Sequence, residues 1–381
     1  MIRNTVAHVD LAALQANFRA IREFVSAGRS RPPHIIAVVK ANAYGHGSQR
    51  VALALEEAGA TMFSCADIEE GIVLRQAGVR APIVVFGALS VSDLDGLFEF
   101  SLTPTVSSPG AARAVHAAAA VRRTAIPVHL KIDTGMNRLG FRHDNLRRTL
   151  PGVLASEHLK LEAVFTHFAS ADIPESPLFN EQRVRFDRAL AVIDELARHS
   201  PRSFMRHACN SAALLRDSRV WYDAVRPGLL LYGIVPPPLA STMRLEPVMS
   251  LTSRVVAVKG LRPGEGVGYG WRFQTDSPRT IAVVPAGYAD GLDARLGGRG
   301  QVLIRGRRAP IVGAVSMDMI TVDVTEVPEV EPGDGVVLLG RQGHESWQQI
   351  DAREVAASIG TIPWEIVCRL GARVERQYSG T

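Results

Sequence analysis

The sequence predicts an α/β chain with an N-terminal (β/α)8 TIM-like barrel followed by a smaller, mainly β C-terminal domain. Three observations carry this. Short apolar runs alternate with helical patterns from about residue 35 to 235. The Pro236-Pro237-Pro238 run then breaks the alternation, and short β runs with Gly-rich turns follow it. The expected boundaries are 1–238 for the barrel and 239–381 for the β domain, with the first ten or so residues free to pack with the latter.

The barrel strands are read at Ile35–Val39, Met62–Cys65, Ile83–Phe86, Leu102–Val106, Pro127–Ile132, Leu161–Thr166, Phe204–Ala208 and Trp221–Val225. Helical patterns such as Gly47–Glu57, Ile68–Ala77, Ala111–Val121 and Gln182–Arg198 lie between them. Eight such units in a row argue for a closed barrel over an open sheet. Beyond the prolines, β runs are read at Val255–Val258, Thr280–Val284, Gln301–Ile304, Ala309–Val315, Ile320–Val324 and Gly335–Leu339. Only Ile350–Ile359 reads as helix there.

Composition narrows the function classes. Hydrophobic residues at 46% and charged residues at 21% describe ordinary globular material with enough apolar mass for a core. No run of apolar residues is long enough to span a membrane, and the first six residues show no apolar leader segment. Cys65, Cys209 and Cys368 sit in separate segments without a CxxC, so a reducing cytoplasm is the expected setting. The net charge of +5 is scattered in isolated Arg pairs without aromatic interleaving, so nucleic acid is not an expected partner.

Among 43 basic residues only Lys40, Lys131, Lys160 and Lys259 are lysine. Codon bias explains that imbalance most simply. Even so, lysine can lose its proton and attack a carbonyl, which arginine cannot do. Catalytic groups of such barrels gather at the C-terminal strand ends. There the chain places Lys40, Lys131 with Asp133 and Arg138, His167, His207 with Asn210 and Ser211, and Arg226 with Gly228. Each has a plain structural reading: a snorkelling lysine, a rim ion pair, a helix cap, a structural cation. Their coincidence at five strand ends favours chemistry. A helix start at Ser211 and the glycine after the eighth strand suit a phosphate. On residues alone, a phosphorylated aldehyde cofactor on Lys40 stands beside a sugar-phosphate lyase or aldolase.

The segments Ala37–Gly47 and His129–Gly140 resemble alanine racemases, as do Asn210-Ser211, Arg226-Pro227-Gly228, Gly287–Gly291 and Met317-Asp318, in that family's order. The resemblance implies pyridoxal 5′-phosphate carried on Lys40, which is also the base on the D side. It implies Tyr269 as the opposite base, supplied by the partner subunit of a homodimer. Arg226 is then the arginine facing the pyridine nitrogen, His207 holds it, and Tyr288 joins the same network. Tyr44, Asn210, Ser211, Gly228, Leu229 and the Trp364 position fall to the phosphate, and His167 to the ring. Arg138 and the Met317 backbone fall to the substrate carboxylate, with Asp318 beside them, and Lys131 matches a lysine carbamylated in several members. The activity so implied is interconversion of L- and D-alanine, supplying D-alanine for peptidoglycan. A shifted specificity, for example towards serine, and a non-catalytic cofactor carrier are the alternatives. The carrier reading lacks a use for the second domain and Tyr269.

Four positions depart from the family's common pattern. Trp364 stands where a tyrosine is usual, and indole N–H can only donate. Ser316 replaces a cysteine. Ala314 and Ala294 stand where entrance arginines are frequent, with Arg295 adjacent to the latter.

Overall fold

The computed structural model describes residues 4–89, 93–198, 203–343 and 347–380. The reading of the first residues therefore falls partly outside the described ones, at Met1–Arg3. Eight parallel strands close a ring: His34–Val38, Met62–Cys65, Ile83–Val85, Thr103–Val106, Ile126–Asp133, Leu159–Phe165, Met205–Cys209 and Ala224–Val225. The ring closes where Ala224 lies in register with His34. Helices Ser48–Glu57, Ile68–Gln76, Pro109–Val121 and Leu178–Leu196 are the longest of the crossovers. Each right-handed βα unit returns its strand beside the last, so the alternation seen in the sequence becomes a barrel.

A second, ten-stranded sheet is built mostly from residues after Met249. Val6–Asp10 lies one strand in from the edge of this sheet, pairing antiparallel with Met249–Arg254 and parallel with the edge strand Glu375–Ser379. Asp10 then caps the helix Leu11–Ser26 by accepting from Ala13 N at 2.9 Å. The chain thus leaves the sheet and enters the barrel layer within one residue. A single buried apolar cluster runs through both parts.

Two details of the β region differ from the pattern reading. The run Val255–Val258 is not one strand: it straddles the break between Met249–Arg254 and Ala257–Leu261. These two pair with different neighbours, Gly335–Gln342 and Arg279–Val284. A β-branched run carries no mark of where the chain changes partner. A second helix, Pro363–Cys368, follows Ala352–Ile359. Six residues are too few to show a 3.6 period.

Candidate active site

Lys40 lies two residues past the end of the first barrel strand, at the head of a left-handed turn. Ala41, Asn42, Ala43 and Tyr44 all have φ between 52° and 54°. Each such non-glycine residue costs about 1–2 kcal/mol, so the surroundings must hold the turn. Glu70 accepts from Ala41 N, and Asn42 Oδ1 accepts from Ser48 N at 2.8 Å. Gly45, at φ 83°, ends the turn where a Cβ would lie 2.2 Å from the Val367 carbonyl. The helix Pro363–Cys368 of the β region therefore packs directly on the lysine turn. His46 stacks on Tyr232 at 4.5 Å, and the Tyr232 hydroxyl donates to Val38 O.

Burial, and then the Arg138 charge, lower the Lys40 pKa. A larger share of the amine is thus free at neutral pH than for an exposed lysine.

Arg226 directly follows the eighth strand and is only 3% exposed. Its guanidinium donates to Thr166 O and Ala208 O at 2.9 Å each, and to His207 Nδ1 at 2.8 Å. His167 Nδ1 lies 3.3 Å from it. Burial, followed by the Arg226 charge, pushes both His167 and His207 well below the usual imidazole range. His207 stacks on Phe165 at 4.7 Å. Lys131 Nζ sits 5.6 Å from the same ring and Arg226 5.4 Å. Lys131 is buried, and desolvation with the Arg138 charge lowers its pKa to about 8. Arg138 itself is exposed at the rim.

The loops after the seventh and eighth strands meet. Ser211 Oγ accepts from Gly228 N at 3.0 Å. A Cβ on Gly228 would lie 2.5 Å from the Tyr44 hydroxyl, so only glycine lets the backbone come this close. Leu229 opens the 3-10 turn that follows. Asn210 Oδ1 accepts from Ala213 N at 2.9 Å and is a helix N-cap.

The β region contributes the remaining groups. Tyr269 sits on a turn after Gly268 and is 78% exposed. Tyr288 N donates to Ser316 O and Ala289 N to Met317 O, which fixes Met317 beside Tyr288. Asp318 pairs with Arg373 at 2.7 Å. Trp364 is partly buried and packs on the main core. Arg295 does not offer a free cation to the entrance, because it grips Asp293 through two nitrogens.

Both parts of the chain match family models, the alanine racemase N-terminal domain over residues 9–236 and the C-terminal domain over residues 248–378. The chain belongs to the alanine racemase family. It is 41% identical to the alanine racemase of Halothermothrix orenii, over 99% of this chain and 97% of that one. The structure of alanine racemase from Bacillus anthracis with bound L-Ala-P is similar at a TM-score of 0.88 and 36% identity, over 100% of this chain and 96% of that one. The structure from Bartonella henselae with covalently bound pyridoxal phosphate is similar at 0.86 and 29%, over 99% of each chain. Racemisation of alanine with pyridoxal 5′-phosphate is the activity that membership in this family carries.

The residues present fit that cofactor. The close approach of Gly228 to the Tyr44 hydroxyl, with Ser211 beside it, assembles donors suited to a phosphate. Lys40 supplies an amine for an aldehyde.

Sequence reading passed over two contributors. Glu70 lies on a helix flank with no local signal of its role. His129 was legible in principle, since it stands two residues before Lys131 and so on the same strand face.

Proposed function

We propose that this alanine racemase works through two bases, Lys40 on the D side and Tyr269 of a second copy on the L side, in a homodimer whose active sites are shared. The observation that carries this is the exposure of Tyr269. A base must sit against the substrate Cα, yet this tyrosine is 78% exposed within its own chain. Trp271, Tyr288, Met317 and Met319 are exposed at 63%, 48%, 52% and 47%. A Cβ added to Gly268 would lie 3.8 Å from the Ala314 backbone, so the Tyr269 turn borders the segment that leads to Met317, and we read these exposed groups as one face. Covering that face with a second copy removes an apolar patch from water and completes the site.

When bound, pyridoxal 5′-phosphate supplies an electron-accepting ring that makes the Cα proton of an attached amino acid acidic. Lys40 takes or returns the proton on one face, helped by its lowered pKa. Tyr269 does so on the other. Arg226, held by backbone carbonyls, stays charged and would disfavour a proton on the cofactor's ring nitrogen, which would temper the electron sink and favour return of the proton over side reactions. Tyr44, Ser211, Gly228 and Leu229 would grip the phosphate, with Asn210 shaping the loop, and His167 would bound the ring. Arg138 and the Met317 backbone orient the substrate carboxylate, and a carbamate on Lys131 would pair with Arg138. The role is supply of D-alanine for peptidoglycan in the cytoplasm.

The test is deuterium wash-in at Cα from D2O with each alanine enantiomer. Exchange from both is expected. No exchange from either would sink the reading.

A further inference from the structure

The hydrogen-bond chain behind Arg226 does not stop at His207. His207 Nε2 lies 3.1 Å from His129 Nδ1, and both imidazoles are fully buried. The polarity of this chain is fixed from one end. A guanidinium has donors and no acceptor, so His207 Nδ1, at 2.8 Å from Arg226, must present its lone pair. Burial and the Arg226 charge keep both rings neutral, with the His129 pKa pushed down to about 3. A neutral imidazole carries one proton, which on His207 must then be on Nε2. That proton points at His129 Nδ1, which in turn must accept, leaving the His129 proton on Nε2.

We infer that His129 is a positioning residue: its Nδ1 lone pair holds the His207 proton on Nε2 and so keeps His207 Nδ1 open to receive Arg226. His129 Nε2–H is itself buried without a hydrogen-bond partner among the described residues, so removing the His129 acceptor moves the unsatisfied donor onto His207 Nε2–H, the ring that Arg226 contacts. Moving the proton to Nδ1 relieves it but sets N–H against N–H at the Arg226 contact. In the second case the arginine loses its closest side-chain acceptor. His129 also lies in register with Thr105 on the fourth strand and packs edge-on to Phe165 at 6.5 Å, which limits rotation of its ring. The consequence for catalysis rests on Arg226 facing the cofactor ring; the proton positions do not.

Neutron diffraction from crystals of the unsubstituted holoenzyme in D2O reads the protons directly. Deuterons on Nε2 of both His207 and His129 are expected, and a deuteron on His207 Nδ1 would overturn the inference. Two variants of the holoenzyme test the consequence. Asn places an acceptor oxygen near the Nδ1 position, whereas Leu fills the space without one. His129→Leu is expected to lower kcat roughly tenfold, with KM for alanine within about twofold, and to shift the absorption band of the bound cofactor. His129→Asn is expected to restore most of the rate and the parent band. A packing role predicts the reverse order, since Leu suits an apolar interior better than Asn, and Leu equal to or better than Asn overturns the proposal. Deuterons as expected, with a rate loss in His129→Leu but an unmoved band, would instead count against the placement of Arg226 at the ring.

Discussion

Glu70 Oε1 accepts from Ala41 N at 2.7 Å, while its Oε2 accepts from Ala66 N at the same distance. One carboxylate thus ties the left-handed turn after Lys40 to the end of the second barrel strand. Hydrogen bonds to a charged acceptor contribute about 1.5–3 kcal/mol each, the scale needed to offset αL backbone.

Glu70→Ala should therefore loosen the turn that carries Lys40 and Tyr44. Cofactor affinity is expected to fall roughly tenfold or more, read by absorbance titration of the apoenzyme. Glu70→Gln keeps one acceptor and should lose less. An unchanged dissociation constant in Glu70→Ala would mean that the turn holds itself.

Tyr269→Phe separates chemistry from folding. The substitution keeps the ring and removes only the hydroxyl, so the thermal midpoint should move by no more than about 2 °C. Turnover should fall by about 10²–10⁴, the usual range for a lost acid–base group. Cα exchange measured separately from each enantiomer should fall most from L-alanine. Exchange from both at the parent rate would remove Tyr269 from the mechanism.

With its amine unmodified, Lys131 imposes a pH dependence on stability. Its folded pKa is depressed to about 8 from 10.5, first by desolvation and then by Arg138. Between these values the unfolded chain binds the extra proton, so stability rises with pH across that window. Below about pH 8 both states are protonated and the burial penalty is felt in full. The difference is on the order of 3 kcal/mol at most. Urea melts of the apoprotein at pH 7.5 and 9.5 should therefore show the parent gaining on Lys131→Met as pH rises. A pH-independent gap would contradict the shift.

Trp364 sits on the helix that packs against the Gly45 end of the lysine turn. Trp364→Tyr should change the activity ratio between alanine and serine, because it trades a donor-only indole for a smaller ring with a hydroxyl. Ratios unchanged across alanine, serine and larger amino acids would place specificity elsewhere.

The barrel was legible because its signal is local. Each strand is a short apolar run, each crossover a 3.6-period stretch, and the observed strands Met62–Cys65 and Ile126–Asp133 lie where those runs lie. The β region was less legible where Val255–Val258 spans a change of partner and where the helix Pro363–Cys368 is too short to declare itself. At the site, Lys40 stood out as a rare lysine at a strand end, and the motifs around it carried the family.

By itself, then, the sequence determined the barrel, the added β domain and the family, and it singled out Lys40 as the candidate cofactor lysine. All of these rest on periodicity or on contiguous motifs. Only the tertiary structure decided how Lys40 is presented, on a left-handed turn braced by Glu70, 29 residues away, and by Val367 across the domain junction. It alone joined Arg226 to His207 and His207 to His129, which are 78 residues apart in the chain. Hydrogen bonds between distant residues leave no period and no spacing in a sequence. They exist only once the barrel has closed and placed the strand ends side by side.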